Sequence, residues 1–367
     1  MKIALVVHDF DPGFGQGRYT VELARRLAAH HQVHVYANRF AVPLAPNWAF
    51  QPVRAWRATA LTTVLTFLAQ AERLLRRRHY DLIHAQGLTC WGADVITAHI
   101  CNAARARQAR SHRVRDRLFL SVIVPLERRF FRQPRARHLI AVSRKVAGEL
   151  AAAYGWRRPS SVIYHGIDSD GFRPAADAQS RQRARRDYGW ADGAWAWLFV
   201  GEAAKGLREV IAQLPRFRRA SLLVISRSDL AWFRRLAQGL GVEGRVRFQG
   251  PTNDLARVYQ AAEVLVYPSA YDAFGLVVAE AMASGLPVLV GKNVGAAEWI
   301  EPEVNGLLCD PRDPASLQRQ LEWLETDPRR GRQLGQAARA TVLAHTWDAC
   351  AAATEAVYAQ MSAAGSA

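Results

Sequence analysis

The chain has 367 residues, half of them hydrophobic, and its 49 Lys and Arg against 32 Asp and Glu give a formal net charge of +17. This length and composition exclude a disordered chain and leave room for two domains of ordinary size. The four cysteines form no CxxC pair and no zinc spacing, which argues against a disulfide scaffold and is typical of a reducing cytoplasm. The apolar run in MKIALVVHDF is too short for a signal peptide, and no run reaches the ~20 residues that span a bilayer, so we expect a soluble or peripheral protein.

The first half alternates short apolar runs with helix-like segments. It opens with KIALVV, the glycine-rich loop DPGFGQGR, the helix-like YTVELARRLAAH and then VHVYA, which together predict one βαβ unit. Gly13, Gly15 and Gly17 would let the backbone approach a ligand, but their spacing is not a dinucleotide fingerprint and a plain tight turn fits equally well. Further apolar runs precede loops at 81–87, 94–99, 138–143 and 161–168. We therefore expect a first α/β domain at residues 1–175.

The second half repeats this alternation after a polar, arginine-rich stretch at 175–193, which we interpret as a linker. Its apolar runs are WAWLFVG, SLLVIS, VRFQG, VLVYPS and VLVG. We expect a second α/β domain at 176–345. We also expect an amphipathic helix in the final segment, 346–367, crossing back to the first domain. The predicted fold is α/β, with two Rossmann-like domains and an interdomain cleft.

One segment, YDAFGLVVAEAMASGLPVLVG at 271–291, places two acids around an apolar helix-like run. Gly285 and Pro287 are typical of a helix end, so the pattern predicts a strand, a loop, a helix and a strand. Asp272 and Glu280 are eight residues apart, which is about 12 Å along a helix. That distance is too long for one shared reacting atom, but the pair could hold two ends of one long ligand, with a phosphate at the helix start. Two ordinary surface acids fit the bare pattern equally well.

The stretch YPSAYDAFGLVVAEAMASGLPVL resembles the signature of retaining glycosyltransferases of family 4. Other segments resemble the family in the same order: GFGQGR, LIAVSRKVAGELAAAYG, VIYHGIDSDGFRP, GVEGRVRFQGPTNDLARVYQAAEVLVYPS and VGAAEWIEPEVNGLLCDP. The resemblance covers nearly the whole chain and implies the GT-B fold. Within the family, the arginine-rich insert after Cys101 looks most like bacterial lipopolysaccharide-core glucosyltransferases.

The resemblance implies roles for individual residues. Glu280 would bind the ribose hydroxyls of the donor nucleotide, and Asp272 would lie near the donor sugar and phosphate. The backbone amides of Phe274 and Gly275 would approach the phosphates, and Lys205 would contact them.

Three more positions match the family, and two depart from it. Gly15 matches the second glycine of the amino-terminal loop, His99 a histidine near the donor phosphate, and Glu298 a glutamate after the sugar-binding loop. The alternative for His99 is a hydrogen-bonded histidine at a loop edge, and the alternative for Glu298 is an ordinary surface acid. The departures are Asp272, where the family usually has Glu, and Glu202, which stands where a phosphate-binding Arg is expected.

The implied reaction is transfer of a sugar from a nucleotide sugar such as UDP-glucose to an acceptor hydroxyl, with retention at the anomeric carbon. The main task is to stabilise the departing diphosphate, whose oxygen would take the acceptor's proton. We expect no metal cofactor. A non-catalytic relative of this fold and a sugar-nucleotide epimerase remain alternatives. A nucleic-acid-binding protein is favoured only by the net charge, because no binding module or aromatic platform is present.

A final pattern concerns membranes. From Arg105 to Lys145 there are 12 Arg and one Lys against only Asp116 and Glu127, and this stretch includes LFLSVIVPL at 118–126 followed by two phenylalanines. Such a segment is typical of a helix at an anionic lipid surface, although a core-facing helix with a solvated arginine face is also compatible. We therefore expect a cytoplasmic protein, peripheral on the inner membrane, with a lipid-linked saccharide as acceptor.

Overall fold

The computed structural model describes residues 1–108, 114–133 and 135–364, and the chain divides into two compact units. The first unit comprises Met1–Gly166 and Trp347–Ala367, and the second comprises Ile167–Thr346. Residues 167–175, which we predicted in the first domain, are counted with the second unit. The reason is that Ile167 pairs with Thr346 and donates its N–H to the carbonyl of His345 at 2.9 Å.

The first unit is built on a parallel sheet with helices packed around it. Its strands are β1 Lys2–Val6, β2 Asp9–Phe10, β3 Gln32–Ala37, β4 Arg39–Phe40, β5 Trp48–Pro52, β6 Leu82–Gln86, β7 Val95–Ala98, β8 His138–Ala141 and β9 Ser160–Val162. The helices of this unit, numbered in chain order, are α1 Gly15–Leu27, α2 Ala60–Leu75, α3 Asn102–Gln108, α4 Val114–Arg132, α5 Arg144–Tyr154 and, at the end of the chain, α13 Trp347–Ala364. α13 packs against α1.

Seven of these strands form the main sheet in the order β5-β3-β1-β6-β7-β8-β9, with all neighbouring strands parallel, and β2 pairs with β4 in a separate two-stranded sheet. Strands β6, β7 and β8 are buried along their whole length, which explains their unbroken apolar runs. The strand order reverses between β1 and β6. Ligands of such sheets bind beyond the carboxyl ends of the strands at this reversal.

The second unit is also built on a parallel sheet. Its strands are β10 Trp195–Val200, β11 Ala220–Ile225, β12 Val246–Gln249, β13 Val264–Tyr267, β14 Val288–Gly291 and β15 Leu307–Cys309. The helices of this unit are α6 Ala178–Asp187, α7 Leu207–Gln213, α8 Ala231–Gly239, α9 Leu255–Ala261, α10 Leu276–Ala283, α11 Pro314–Thr326 and α12 Pro328–Val342. Short 3-10 turns lie at Ala203–Lys205, Glu243–Arg245 and Gly295–Trp299.

The strands of the second sheet stand in the order β12-β11-β10-β13-β14-β15, again all parallel. This is the order of a Rossmann sheet, with the reversal between β10 and β13. The two sheets confirm the predicted α/β class with two Rossmann-like domains.

Local structure differs from the predictions in three places. Helix α1 begins at Gly15, with the extended residue Phe14 as its N-cap, so the second half of the predicted glycine-rich loop is the first turn of a helix. The predicted linker contains α6, whose start is capped by the Asp177 side chain accepting from the Ser180 backbone N–H. Helix α10 begins at Leu276, so Phe274 and Gly275, where the apolar helix-like run starts, lie outside the helix, because Gly275 has a left-handed conformation.

Helix α4 carries the segment that we predicted to face lipid. Phe130 and Phe131 are 0% and 3% exposed, so the prediction that these rings hold the protein on a membrane is wrong. They belong to the core, where Phe131 stacks on Tyr154 with ring centroids 5.5 Å apart. Leu118 and Val122, in the first half of the helix, are 62% and 37% exposed.

The buried Glu127 holds the second half of α4 in place. Its carboxylate accepts hydrogen bonds from the Tyr154 hydroxyl at 2.5 Å and from the Asn102 side-chain amide at 2.6 Å. Part of the basic segment, at 109–113 and 134, lies outside the described residues. Among the helices of the described ranges, none is both long enough and apolar enough to cross a membrane.

Candidate functional site

Two loops meet at the strand reversal of the second sheet, one following β10 and the other following β13. Lys205 lies in the first loop, in a 3-10 turn, and Asp272 lies in the second. The Lys205 ammonium donates to Asp272 Oδ2 at 2.7 Å, although 67 residues separate the two in sequence. Two residues that the sequence suggested separately are therefore in direct contact.

Two glycines with positive φ allow these loops to pack closely. Gly206, with φ 103°, follows the lysine, and a Cβ there would lie 2.7 Å from the carbonyl oxygen of Pro268. Gly275, with φ 93°, precedes α10, and a Cβ there would lie 2.8 Å from Val294 Cγ1. Residues with side chains rarely adopt such φ values, so both positions require glycine.

The Asp272 carboxylate is 15% exposed and has several donors. Burial alone would raise its pKa, but the Lys205 ammonium, the Tyr267 hydroxyl at 2.7 Å and the Phe274 backbone N–H together hold the pKa below its usual value. The side chain therefore stays ionised at neutral pH. Burial raises the pKa of Tyr267 well above its usual value, so its hydroxyl stays protonated and serves as a donor.

The backbone amide of Phe274 has a different role from the predicted phosphate contact. Its N–H is directed at the Asp272 carboxylate, and its buried ring packs edge-on against Trp299 with centroids 5.1 Å apart. We therefore assign Phe274 to holding the loop rather than to a ligand. Gly275 is the N-cap of α10 and marks the start of that helix.

Glu280 lies on α10 and is only 4% exposed. The Tyr259 hydroxyl donates to Glu280 Oε2 at 3.0 Å. The sequence pointed to neither Tyr259 nor Tyr267 as part of the site. The only signal for Tyr267 was its position at the carboxyl end of a buried strand, five residues before Asp272.

Glu298 and Glu202 are both exposed. Glu298 lies on the turn Gly295–Trp299, whose first residue donates its N–H to the Asp272 carbonyl at 3.1 Å, so this turn lies beside the Asp272 loop. Glu202 caps the lysine turn, its carbonyl accepting the Lys205 N–H at 2.9 Å.

A second group of candidates lies in the first unit, at the strand reversal between β1 and β6. Gly15 opens α1, and its neighbour Gln16 donates to the backbone carbonyl of Gln86, at the end of β6, at 2.5 Å. The Gln86 side-chain oxygen is 2.9 Å from His99 Nε2. Since that oxygen can only accept, His99 carries its proton on Nε2 and leaves Nδ1 as an acceptor. The sequence pointed to neither glutamine.

His99 ends a buried chain of polar groups. The Gln86 amide nitrogen is 3.3 Å from His84 Nε2, and His84 Nδ1 is 2.6 Å from the hydroxyl of Tyr358 on α13. Burial lowers the pKa of His99 well below its usual value, and the neighbouring His165 lowers it further. His99 is therefore neutral at physiological pH.

The predicted site residues thus form one group in each unit. Gly15 and His99 lie in the first unit, and the others lie in the second. Across the part of the chain that the structure describes, no three His, Cys, Asp or Glu side chains form a group that could hold a metal ion.

Comparison with known proteins gives two family matches. The family described as "Glycosyltransferase Family 4" matches residues 15–170, and the one described as "Glycosyl transferases group 1" matches residues 180–341. A D-inositol 3-phosphate glycosyltransferase of Streptomyces scabiei is 31% identical over 94% of this chain and 86% of its own length.

Two solved structures are similar over nearly the whole chain. The sucrose-phosphate synthase of Thermosynechococcus elongatus has a TM-score of 0.84 at 25% identity, covering 99% of this chain and 100% of that one. WaaG, a glycosyltransferase involved in lipopolysaccharide biosynthesis, has a TM-score of 0.83 at 22% identity, covering 96% and 98%. The second likeness shows the fold alone, so the narrower resemblance to lipopolysaccharide-core enzymes stays a prediction. The chain is therefore a hexosyltransferase that belongs to the group 1, family 4 glycosyltransferases and has the GT-B fold.

Proposed function

We propose that the enzyme transfers a hexose from a nucleoside diphosphate sugar, with UDP-glucose as the first candidate, to a saccharide hydroxyl with retention. The observation that carries this proposal is the Lys205–Asp272 pair at the strand reversal of the second sheet, the position where such sheets bind nucleotides. Glu280, buried on the helix that follows, supplies a carboxylate for the ribose hydroxyls.

Lys205 is the residue that stabilises the leaving diphosphate. An ammonium has three N–H donors, of which one reaches Asp272, and the side chain is 30% exposed. It can therefore keep its carboxylate partner while donating to a phosphate oxygen, whose negative charge grows as the glycosidic bond breaks. The departing phosphate oxygen takes the proton of the acceptor hydroxyl, so neither a protein base nor a metal ion is required.

His99 has a role that follows from its protonation. A neutral imidazole with an unprotonated Nδ1 accepts a hydrogen bond, so it suits a sugar hydroxyl better than a phosphate oxygen. The Gln86 side chain, which accepts the proton on Nε2, holds this tautomer. We therefore assign His99 to orienting the sugar rather than to the phosphate contact suggested by the resemblance.

For the acceptor we propose a lipid-linked saccharide, with the enzyme peripheral on the cytoplasmic face of the inner membrane in lipopolysaccharide or surface polysaccharide synthesis. The first half of α4 supports this, because Leu118 and Val122 are exposed beside the exposed Arg115 and Arg117. Apolar side chains next to basic ones suit the boundary between anionic headgroups and acyl chains.

A second candidate acceptor is a soluble phosphorylated polyol. The observation that favours it is the 31% identity to a D-inositol 3-phosphate glycosyltransferase. This acceptor would need no membrane contact from α4.

The test of the reaction is release of nucleoside diphosphate by the purified chain from a panel of nucleotide sugars, each with a lipid-linked saccharide in vesicles or with an inositol phosphate. We expect release with one donor, retained anomeric configuration in the product, and dependence on the lipid-linked acceptor. Turnover with inositol phosphate alone would select the second candidate. No turnover with any donor and acceptor, together with no nucleotide binding, would contradict the proposed reaction.

The test of membrane contact is co-sedimentation with vesicles. Binding should require anionic lipid, weaken with salt, and fall when Leu118 and Val122 are both changed to Ser. Leu44→Ser is the matched control, because Leu44 is 61% exposed in the same unit but outside α4. Equal binding to neutral vesicles, or an equal loss in the control, would contradict the assignment.

A further inference from the structure

A cavity of about 440 Å³ lies in the second unit, and neither Lys205 nor Asp272 is among its lining residues. It is at the edge of the sheet where the strands begin, since its lining includes Trp195, the first residue of β10, and Pro287, which immediately precedes β14. Strand β10 has six residues, so this edge is about 20 Å from the Lys205 loop. The volume is within the range of about 300–1,000 Å³ that is usual for small-molecule sites.

Part of the cavity lining is apolar. It is formed by Pro174, Trp195, Leu286, Pro287 and Leu324. The indole of Trp195 is held by edge-on packing against Trp197, with centroids 5.2 Å apart. An aromatic or aliphatic body therefore has a preformed surface to cover.

The lining also includes three arginines, Arg181, Arg219 and Arg332. Arg181 donates to the Ala262 carbonyl at 3.0 Å, and Arg219 donates to the Gly193 carbonyl at 3.2 Å. Both partners are neutral. Arg332 makes no hydrogen bond or ion pair with any residue in the described ranges.

The acids that line the cavity offset these arginines only in part, since Glu263 forms a long ion pair with Arg181. Asp177 accepts the Ser180 N–H at the start of α6. Glu263 accepts the Ala196 N–H at 2.8 Å. Its carboxylate is closer to the guanidinium of Arg185, at 3.4 Å, than to that of Arg181, at 4.0 Å. Burial and the neighbouring arginines lower the pKa of Arg181, although Glu263 opposes this shift. The Arg181 side chain is 39% exposed, so a ligand can reach its guanidinium, and a guanidinium near other cations favours an anionic ligand.

We propose that this cavity is a second ligand site, for a small anionic amphiphile that lays an aromatic or aliphatic body on Trp195 and the other apolar lining residues and directs one anionic group to Arg181 and Arg332. Glu325, an exposed residue of α11 that also lines the cavity, has no ion pair among the described residues. A carboxylate in this position disfavours a multiply charged polyphosphate, which is why the ligand has a single anionic group.

A ligand in the cavity would also contact residues that hold Glu280 in place, and this part of the proposal rests on the proposed function. Tyr259 lines the cavity and donates to Glu280, the residue that we assign to the ribose. Ser284, the C-cap of α10, also lines the cavity, and its hydroxyl donates to the Glu280 backbone carbonyl at 2.9 Å. A ligand that contacts these two residues therefore acts on the helix that holds Glu280, and it changes donor affinity.

The binding experiment uses the full chain without nucleotide and compares two dyes of nearly the same body. Anilinonaphthalene sulfonate has an anionic group, and phenylnaphthylamine lacks it. We expect the sulfonate to bind with one site per chain and at least about tenfold more tightly than the neutral dye, as expected for a charge-assisted hydrogen bond. Equal affinities would overturn the proposal.

Three variants on α12 locate the site. Arg332→Glu should weaken sulfonate binding at least about tenfold. Gly331→Leu should also weaken it, because a Cβ at Gly331 lies at ordinary contact distance from Leu324 (3.6 Å) and Pro287 (3.7 Å), and a larger side chain would extend into the cavity. Arg329→Glu is the matched control and should bind normally, since Arg329 is exposed but does not line the cavity. Unchanged binding by a folded Arg332→Glu variant would show that the dye binds elsewhere and would overturn the proposal.

The coupling experiment measures UDP affinity with and without saturating sulfonate dye. We expect a change of at least about fivefold, matched by the same factor in dye affinity when UDP is bound, because coupling between two sites is reciprocal. An unchanged UDP affinity with dye bound would overturn the coupling. Failure of UDP to bind at all would instead count against the proposed function, because the dye experiment does not use UDP.

Discussion

Removing the Lys205 ammonium should weaken UDP binding by more than the loss of one phosphate contact. In Lys205→Ala the first loss is a charge-assisted hydrogen bond, about 1.5–3 kcal/mol, or roughly 10- to 150-fold in affinity. The second is electrostatic. The Asp272 carboxylate lies 2.7 Å from the ammonium. When the ammonium is removed, the negative charge of this carboxylate faces the phosphates without a neutralising partner.

The repulsion can be estimated from the geometry. Two acceptors bridged by one ammonium are about 4.6 Å apart if each bond is about 2.8 Å, because the N–H bonds diverge at the tetrahedral angle. At that distance two unit charges repel by about 0.9 kcal/mol in water and by about 3.6 kcal/mol at an effective dielectric constant of about 20. Removing the negative charge as well should recover this energy. The double variant Lys205→Ala with Asp272→Asn should therefore bind UDP at least about threefold more tightly than Lys205→Ala alone.

The assay is calorimetric titration of UDP into the wild type, both single variants and the double variant at constant ionic strength. Arg319→Ala serves as a control, because Arg319, on α11, forms an exposed ion pair with the N-cap residue Asp313, and its loss should leave UDP affinity unchanged. Normal affinity in Lys205→Ala would show that another cation binds the phosphates. A double variant no better than Lys205→Ala would refute the idea that Lys205 screens Asp272 from the phosphates.

The same pair predicts how pH affects the site. The pKa of Asp272 is held below its usual value, mainly by Lys205 acting against burial. A depressed carboxylate pKa stabilises the fold above the unfolded pKa of about 3.9 and loses that contribution only as pH falls through the folded value. In Lys205→Ala burial is unopposed by the ammonium, so Asp272 should protonate at a higher pH than in the wild type. Acid unfolding of the variant should therefore begin at a higher pH, and coincident acid transitions would contradict this.

Three further predictions concern other parts of the site. Glu280→Gln should weaken UDP binding by about tenfold or more in the same calorimetric assay, whereas Tyr259→Phe, which removes one hydroxyl donor, should cost less; equal losses would contradict the ribose assignment. His99→Ala should lower turnover more than UDP affinity, and because the pKa of His99 is lowered by burial, wild-type turnover should show no titration of this residue between about pH 6 and 8. EDTA should leave turnover unchanged, and loss of activity restored by a divalent cation would contradict a mechanism without metal.

Much of the fold could be predicted from local patterns. Strands β1, β10 and β14 lie where short apolar runs indicated them, because a strand buried on both faces must be apolar at every position. The end of α10 followed from Gly285 and Pro287, which act within a few residues. Helix α6 was missed because its arginine-rich sequence has little apolar periodicity, and its start depends on the Asp177 cap.

The amino-acid sequence by itself determined the α/β class, the two-domain pattern and the candidate pair Asp272 and Glu280, because each depends on residues close together along the chain. Only the tertiary structure decided which groups meet. The Lys205–Asp272 contact and the Tyr259–Glu280 hydrogen bond each require strands and helices to pack in a given order, and local sequence does not encode that order. The same holds for the phenylalanines of α4, whose apolar character suits a membrane and a core equally well, and only the packing of neighbouring helices places them in the core.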